Sequence, residues 1–93
     1  MWRPATRRWV TNPASGSTRL DFALPKPGVV TLGIYGVAGQ RVRLLLDGAL
    51  PAGPHAAEWD GRDARGRRAP AGVYFAVLEA GGAVRSRRLV RIR

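Results

Sequence analysis

The chain has 93 residues, and a domain of that size buries roughly 65% of the surface its unfolded form exposes, enough for one core. It contains no cysteine, which excludes disulfides and thiolate metal sites, while 45% hydrophobic residues and three tryptophans exclude disorder. Its 16 Lys+Arg against 6 Asp+Glu give a net charge of +10, which attracts polyanions without regard to sequence. Those charges are spread along the whole chain, and no aromatic-basic RNA-binding motif accompanies them. The expected polyanion contacts are therefore non-specific, with no specific nucleic-acid partner.

Helical periodicity is absent, and turn signals recur about every ten residues, the spacing of a β-sandwich. Residues 1–11 are basic but lack an apolar h-region, so they are expected to be a linker or the remnant of an upstream region, irregular or partly strand-like. Trp2 and Trp9 in that segment are expected to pack on an edge or to contact an upstream domain. Asn12-Pro13 opens a turn that Ala14-Ser15-Gly16-Ser17 continues. The first strand, Thr18–Leu24, places Leu20, Phe22 and Leu24 on one face. Pro25-Lys26-Pro27-Gly28 ends it, and the second strand, Val29–Val37, offers Val30, Leu32 and Ile34 inward.

Ala38-Gly39 turns into a third strand, Gln40–Leu46, in which Val42, Leu44 and Leu46 alternate with Arg41, Arg43 and Leu45. Asp47 to Gly53 is expected to be a crossing loop. The fourth strand, Pro54–Trp59, shows His55, Ala57 and Trp59 on one face, and Gly61 to Ala71 is the long loop. Two final strands, Gly72–Glu79 and Ala83–Ile92, form a hairpin across Ala80-Gly81-Gly82. Val84, Leu89, Val90 and Ile92 supply the apolar positions of the last strand. Leu89-Val90 breaks strict alternation, and a bulge near Arg87-Arg88 would account for it. The fold class is all-β: an antiparallel sandwich of six to seven strands without a helix, occupying residues 12–93. Its core includes Leu20, Phe22, Leu32, Ile34, Val42, Trp59 and Leu78.

Few residues carry chemistry. Asp60 and Asp63, with Gly61 and Gly66 around them, admit two readings. Clustered oxygens suit a hard cation such as calcium, but Arg62 and Arg65 stand where further oxygen donors belong. Asx-turns, in which each carboxylate accepts from backbone two residues on, fit the same spacing and are preferred. His55 has no second His or Cys beside it for zinc. No serine lies in a nucleophile-elbow context, and no helix follows the glycines to make a phosphate loop. No catalytic residue, cofactor or metal is expected, and Trp59 is expected to plug the core. No apolar run approaches the ~20 residues of a spanning helix.

The ordered series Asn12-Pro13, Leu20-Asp21-Phe22-Ala23-Leu24-Pro25, Ile34-Tyr35-Gly36-Val37-Ala38-Gly39, Trp59-Asp60-Gly61, Asp63, Gly66 and Gly72-Val73-Tyr74-Phe75 resembles a small Ig-like domain of exported bacterial proteins. It is similar both to the type A sorting domain of the type IX secretion system and to the Ig-like domain of the flagellar hook-capping protein. Gly36 departs from the pattern, which usually carries Asp there. The resemblance implies a non-catalytic C-terminal module for sorting and anchoring a larger exported protein. The alternative is a structural domain of a hook cap or other extracellular assembly. The implied partners are secretion machinery or adjacent domains of the parent, and the implied location is secreted or cell-surface. Any signal peptide would then lie upstream, with Met1 internal to the parent. The candidate sorting signal is the basic tail Arg85, Arg87, Arg88, Leu89, Val90, Arg91, Ile92 and Arg93, read either as exposed recognition residues or as an ordinary charged edge strand.

Overall fold

The computed structural model describes residues 10–12 and 17–92. Trp2, Trp9, the turn at residues 13–16 and Arg93 lie outside the described residues. Within them the strands are β1 (Val10–Asn12), β2 (Ser17–Leu24), β3 (Gly28–Gly36), β4 (Arg41–Leu50), β5 (Gly53–Trp59), β6 (Gly72–Ala80) and β7 (Ala83–Arg91), with no helix. They form a three-stranded sheet, β1-β2-β5, and a four-stranded sheet, β4-β3-β6-β7, with every neighbouring pair antiparallel. The all-β two-sheet architecture expected from the alternation is the one observed. Val10–Asn12, in and beside the segment expected to be irregular or partly strand-like, pairs with Ser17–Arg19.

Alternation builds the core directly. Leu20, Phe22 and Leu24 of β2 meet Val30, Leu32 and Ile34 of β3 and Tyr74, Ala76 and Leu78 of β6, all buried, with Trp59 fully buried at the end of β5. Each of the larger aliphatic and aromatic side chains among them gains about 1.5–3 kcal/mol from leaving water. Together they oppose the chain entropy that a small domain without covalent cross-links must overcome.

β4 differs from its expected pattern in two ways. It runs on to Leu50, paired with Gly28–Thr31 of β3, so the crossing loop shrinks to Pro51-Ala52. Its pairing with β3 also slips twice: Leu32 faces Leu46 while Gly33 faces Leu44, and Ile34 faces Arg43 while Tyr35 faces Arg41. Leu45 and Val42 are the extra residues of two bulges. Val42, Leu45 and Leu46 therefore pack against the core, and Leu44 does not. A bulge re-aims the side chains beside it. Strict alternation along Arg41–Leu46 could not show it.

β7 corrects the terminal strand in the opposite sense. Its register with β6 is unbroken from Ala80↔Ala83 to Gly72↔Arg91, so there is no bulge at Arg87-Arg88. The hairpin turn is Gly81-Gly82 alone, with φ of 56° and 81°, and two successive positive φ values are what a two-residue turn of this hand demands. Period-two counting from Ala83 then puts Leu89 and Arg91 on the inner face. Leu89 is buried, while Val84, Val90 and Ile92, expected to be apolar packing positions, are exposed.

Replacing Trp59 with Ala removes the largest buried side chain and should cost about 3–5 kcal/mol. For a domain of this size each kcal/mol is about 4–8 °C of melting temperature, so thermal unfolding of the variant should show a fall of more than ~12 °C. A fall of a degree or two would show that Trp59 does not hold the core.

Candidate functional site

Two regions hold the candidate residues: the loop from Asp60 to Ala71 and the terminal strand β7. The loop begins at Trp59, whose indole Nε1–H donates to the carbonyl of Arg62 at 2.9 Å. Asp60 Oδ1 accepts from the backbone N–H of Arg62 at 3.0 Å, and Asp63 Oδ1 accepts from those of Arg65 and Arg67, both at 2.9 Å. The two contacts spanning two residues have Asx-turn geometry. The carboxylates also take side chains: Arg43 Nη1 lies 3.1 Å from Asp60 Oδ1, and Arg67 Nε lies 3.2 Å from Asp63 Oδ2. Backbone bonds from Asp63 to Arg67, Gly66 to Asp63 and Ala69 to Gly61 close the loop upon itself. Both carboxylates are thus spent on turns and guanidinium groups. Among the described residues no three His, Cys, Asp or Glu side chains cluster to hold a metal.

The backbone N–H of Arg67 is the main cause that holds the Asp63 carboxyl below its ordinary 3.8. The Arg65 N–H and the Arg67 guanidinium act in the same direction, against partial desolvation that pushes it up. His55 Nε2 lies 2.7 Å from the carbonyl oxygen of Pro51, and its ring packs 5.5 Å from that of Phe22. It is a strand residue tied to its neighbours.

The residue that sequence reasoning misplaced is Arg91. Read there as part of an exposed basic tail, it is only 6% exposed. Its guanidinium lies over the Trp59 ring, 5.4 Å from the centroid, and its Nε donates to the carbonyl of Ala69 at 3.2 Å. Gly61, at φ +79°, leaves room for it: a Cβ there would collide with the guanidinium as well as strain the backbone. Trp59 also meets Tyr74 edge-on at 5.4 Å, and the Tyr74 hydroxyl donates to Pro70 O at 2.6 Å. That is the tyrosine-corner arrangement of Ig sandwiches. The signal for Arg91 lay in the sequence as the two-residue step from Leu89. It is legible only once Gly81-Gly82 is recognised as the whole turn.

The remaining described tail residues divide by exposure. Leu89 joins the core and Arg87 is half-buried, while Arg85, Arg88, Val90 and Ile92 are exposed. The structure thus brings Trp59, Gly61 and Arg91 together and separates them from the exposed tail residues. Gly36 shows how its departure from the family pattern is accommodated. The Gln40 side chain fills the space a Cβ would take, while Gly36 N–H and Gly39 N–H close the turn onto Gln40 O and Gly36 O at 2.9 and 3.0 Å.

Arg91→Ala removes a buried cation–π contact and a charge-assisted hydrogen bond, and should cost about 2–4 kcal/mol. Arg88→Ala on the exposed face should stay within about 0.5 kcal/mol, and urea unfolding of the two variants makes the comparison. Equal effects would show that Arg91 is not held by Trp59. For Asp63 the sign follows from a lowered folded-state value: its contribution is complete above the ordinary value and is lost as pH falls through the lower one. Melting temperature measured downward from pH 5 should therefore fall less steeply for Asp63→Asn than for the parent chain below about pH 4. Parallel curves would remove Asp63 from the account.

The family model described as the FlgD Ig-like domain matches residues 9–83, which takes in β1 through β6. No curated protein matches the chain. The crystal structure of FlgD from P. aeruginosa is similar with a TM-score of 0.65 and 19% identity, over 97% of this chain and 72% of that one, a likeness of fold. With four-fifths of its residues inside the match, from the first strand through the sixth, the chain belongs to the FlgD Ig-like domain family.

Proposed function

We propose that the chain serves as a non-catalytic structural module of an exported protein, joining it to neighbouring domains or subunits of an extracellular assembly of the hook-cap kind. The family match over residues 9–83 carries this reading. The site geometry is consistent with a rigid spacer: the polar groups of the Asp60 loop are bonded to one another. Partners are adjacent domains of the parent, and the location is outside the cell.

Secretion sorting is the second reading, favoured by one observation. Arg88 and Val90 remain exposed on one face of β7, and Ile92 is exposed just beyond it, where machinery could read them. Against it, Leu89 and Arg91 of the same tail are taken up by the fold, and nearly all of β7 lies beyond the family match.

One experiment separates the two. In the parent gene, the codons for residues 17–92 are deleted, and the parent protein is followed by fractionation while the assembly is followed by electron microscopy and motility. The structural reading expects the parent to leave the cell yet fail to assemble. Retention of the parent inside the cell envelope would overturn that reading in favour of sorting.

A further inference from the structure

Beside the Asp60 loop lies a groove of about 510 Å³ between β4 and the loop. Its rim carries Arg41 from β4 and Arg65 and Arg67 from the loop, and its floor is Val42, Ala69 and Tyr74. The walls are fixed to one another. Val42, the extra residue of a bulge, presents its carbonyl to the Ala64 N–H at 3.0 Å, which pins the loop across the strand. Asp63 then sets the loop's own shape through Arg65 and Arg67.

The charges in and around the groove are unequally engaged. Arg67 is paired with Asp63, Arg43 with Asp60, and Arg62 Nη1 with the carbonyl of Gly66. Arg41 and Arg65, both exposed, form no salt bridge with a carboxylate among the described residues. Asp63 is the one acid lining the groove, against three arginines. Two uncommitted guanidinium groups thus stand at the rim of a preformed concave surface with an apolar floor.

We propose that this groove binds an acidic peptide segment, with Arg41 and Arg65 taking its carboxylates and Val42, Ala69 and Tyr74 receiving the aliphatic parts between them. Charge complementarity selects the anion, since planar guanidinium forks match carboxylates in paired hydrogen bonds. The floor selects a peptide over a phosphate or sulfate polymer. Nucleic acid and sulfated glycans are held along a basic groove that tracks their backbone, whereas of the three arginines lining this groove Arg67 is paired with Asp63, and the neighbouring Arg43 and Arg62 are already bonded within the protein. This inference is independent of which assembly the module serves, because its test is read on the chain alone.

The test is titration of the full chain with a short alternating Asp/Glu peptide at physiological salt, followed by calorimetry, with heparin and inorganic phosphate as parallel probes. Saturable binding of the peptide is expected, weakened about fivefold or more by Arg41→Gln with Arg65→Gln, the loss of two exposed ion pairs together being worth several-fold in affinity. The control is Lys26→Gln with Arg88→Gln, two exposed residues outside the groove lining, which removes the same charge and should change affinity less than about twofold. Melting temperatures of both double variants verify that the fold is intact. Equal weakening by the two double variants would reduce the effect to net charge and overturn the site. So would tighter binding of heparin or phosphate than of the peptide, or the absence of saturable peptide binding.

Discussion

The contact between the Arg91 guanidinium and the Trp59 ring ties together parts of the molecule that are otherwise held separately. Trp59 ends the edge strand of one sheet, Arg91 ends the edge strand of the other, and the loop from Asp60 to Ala71 runs between them. The guanidinium lies on the indole, bonds the Ala69 carbonyl and sits against Gly61, so it fastens both the entry and the exit of that loop. A buried cation demands such company, because a charge taken from water is costly unless hydrogen-bonded or laid on an electron-rich face. The need for glycine at position 61 follows from both demands at once, positive φ and space for the guanidinium.

Much of the fold was legible in the sequence because its rule is simple. Leu20, Phe22, Leu24 and Val30, Leu32, Ile34 alternate without interruption, and each such run places its side chains by parity alone. Trp59-Asp60-Gly61 was legible as a strand end and turn for reasons of turn chemistry. The failures share one physical origin, which is that register depends on the partner strand. Val42 and Leu45 both face the core because β3 pairs with β4 across two slips. Nothing within Arg41–Leu46 announces them. In β7 the error ran the other way: an apolar Val90 was taken as inward and an arginine as outward, when the continuous ladder from Ala80↔Ala83 dictates the reverse.

Arg91 also shows why a basic tail is a poor guide to recognition when read as composition. Of the described residues that resembled a readable signal, Arg91 stabilises the loop, Leu89 is in the core, and Arg85, Arg87, Arg88 and Val90 divide between the two faces of an edge strand. The candidate site that emerges instead draws on Arg41 and Arg65, distant in sequence and joined by the Val42–Ala64 backbone bond. That pairing depends on a bulge. Spacing along the chain does not contain it.

The continuous β6–β7 ladder has a consequence for the order in which the molecule matures during synthesis. The loop and both its flanking strands emerge before Arg91, since β7 follows them in the chain. Until the Gly81-Gly82 turn closes and the ladder zips from Ala83 to Arg91, the indole lacks its cation and Ala69 its donor. Contacts across such sequence separations form only after the entropy of loop closure has been met. The nascent chain therefore carries an unfastened Asp60 loop, and β7 acts as a latch. A chain that ends before Arg91 keeps the Asp60 loop unfastened and leaves the Trp59 indole without its cation.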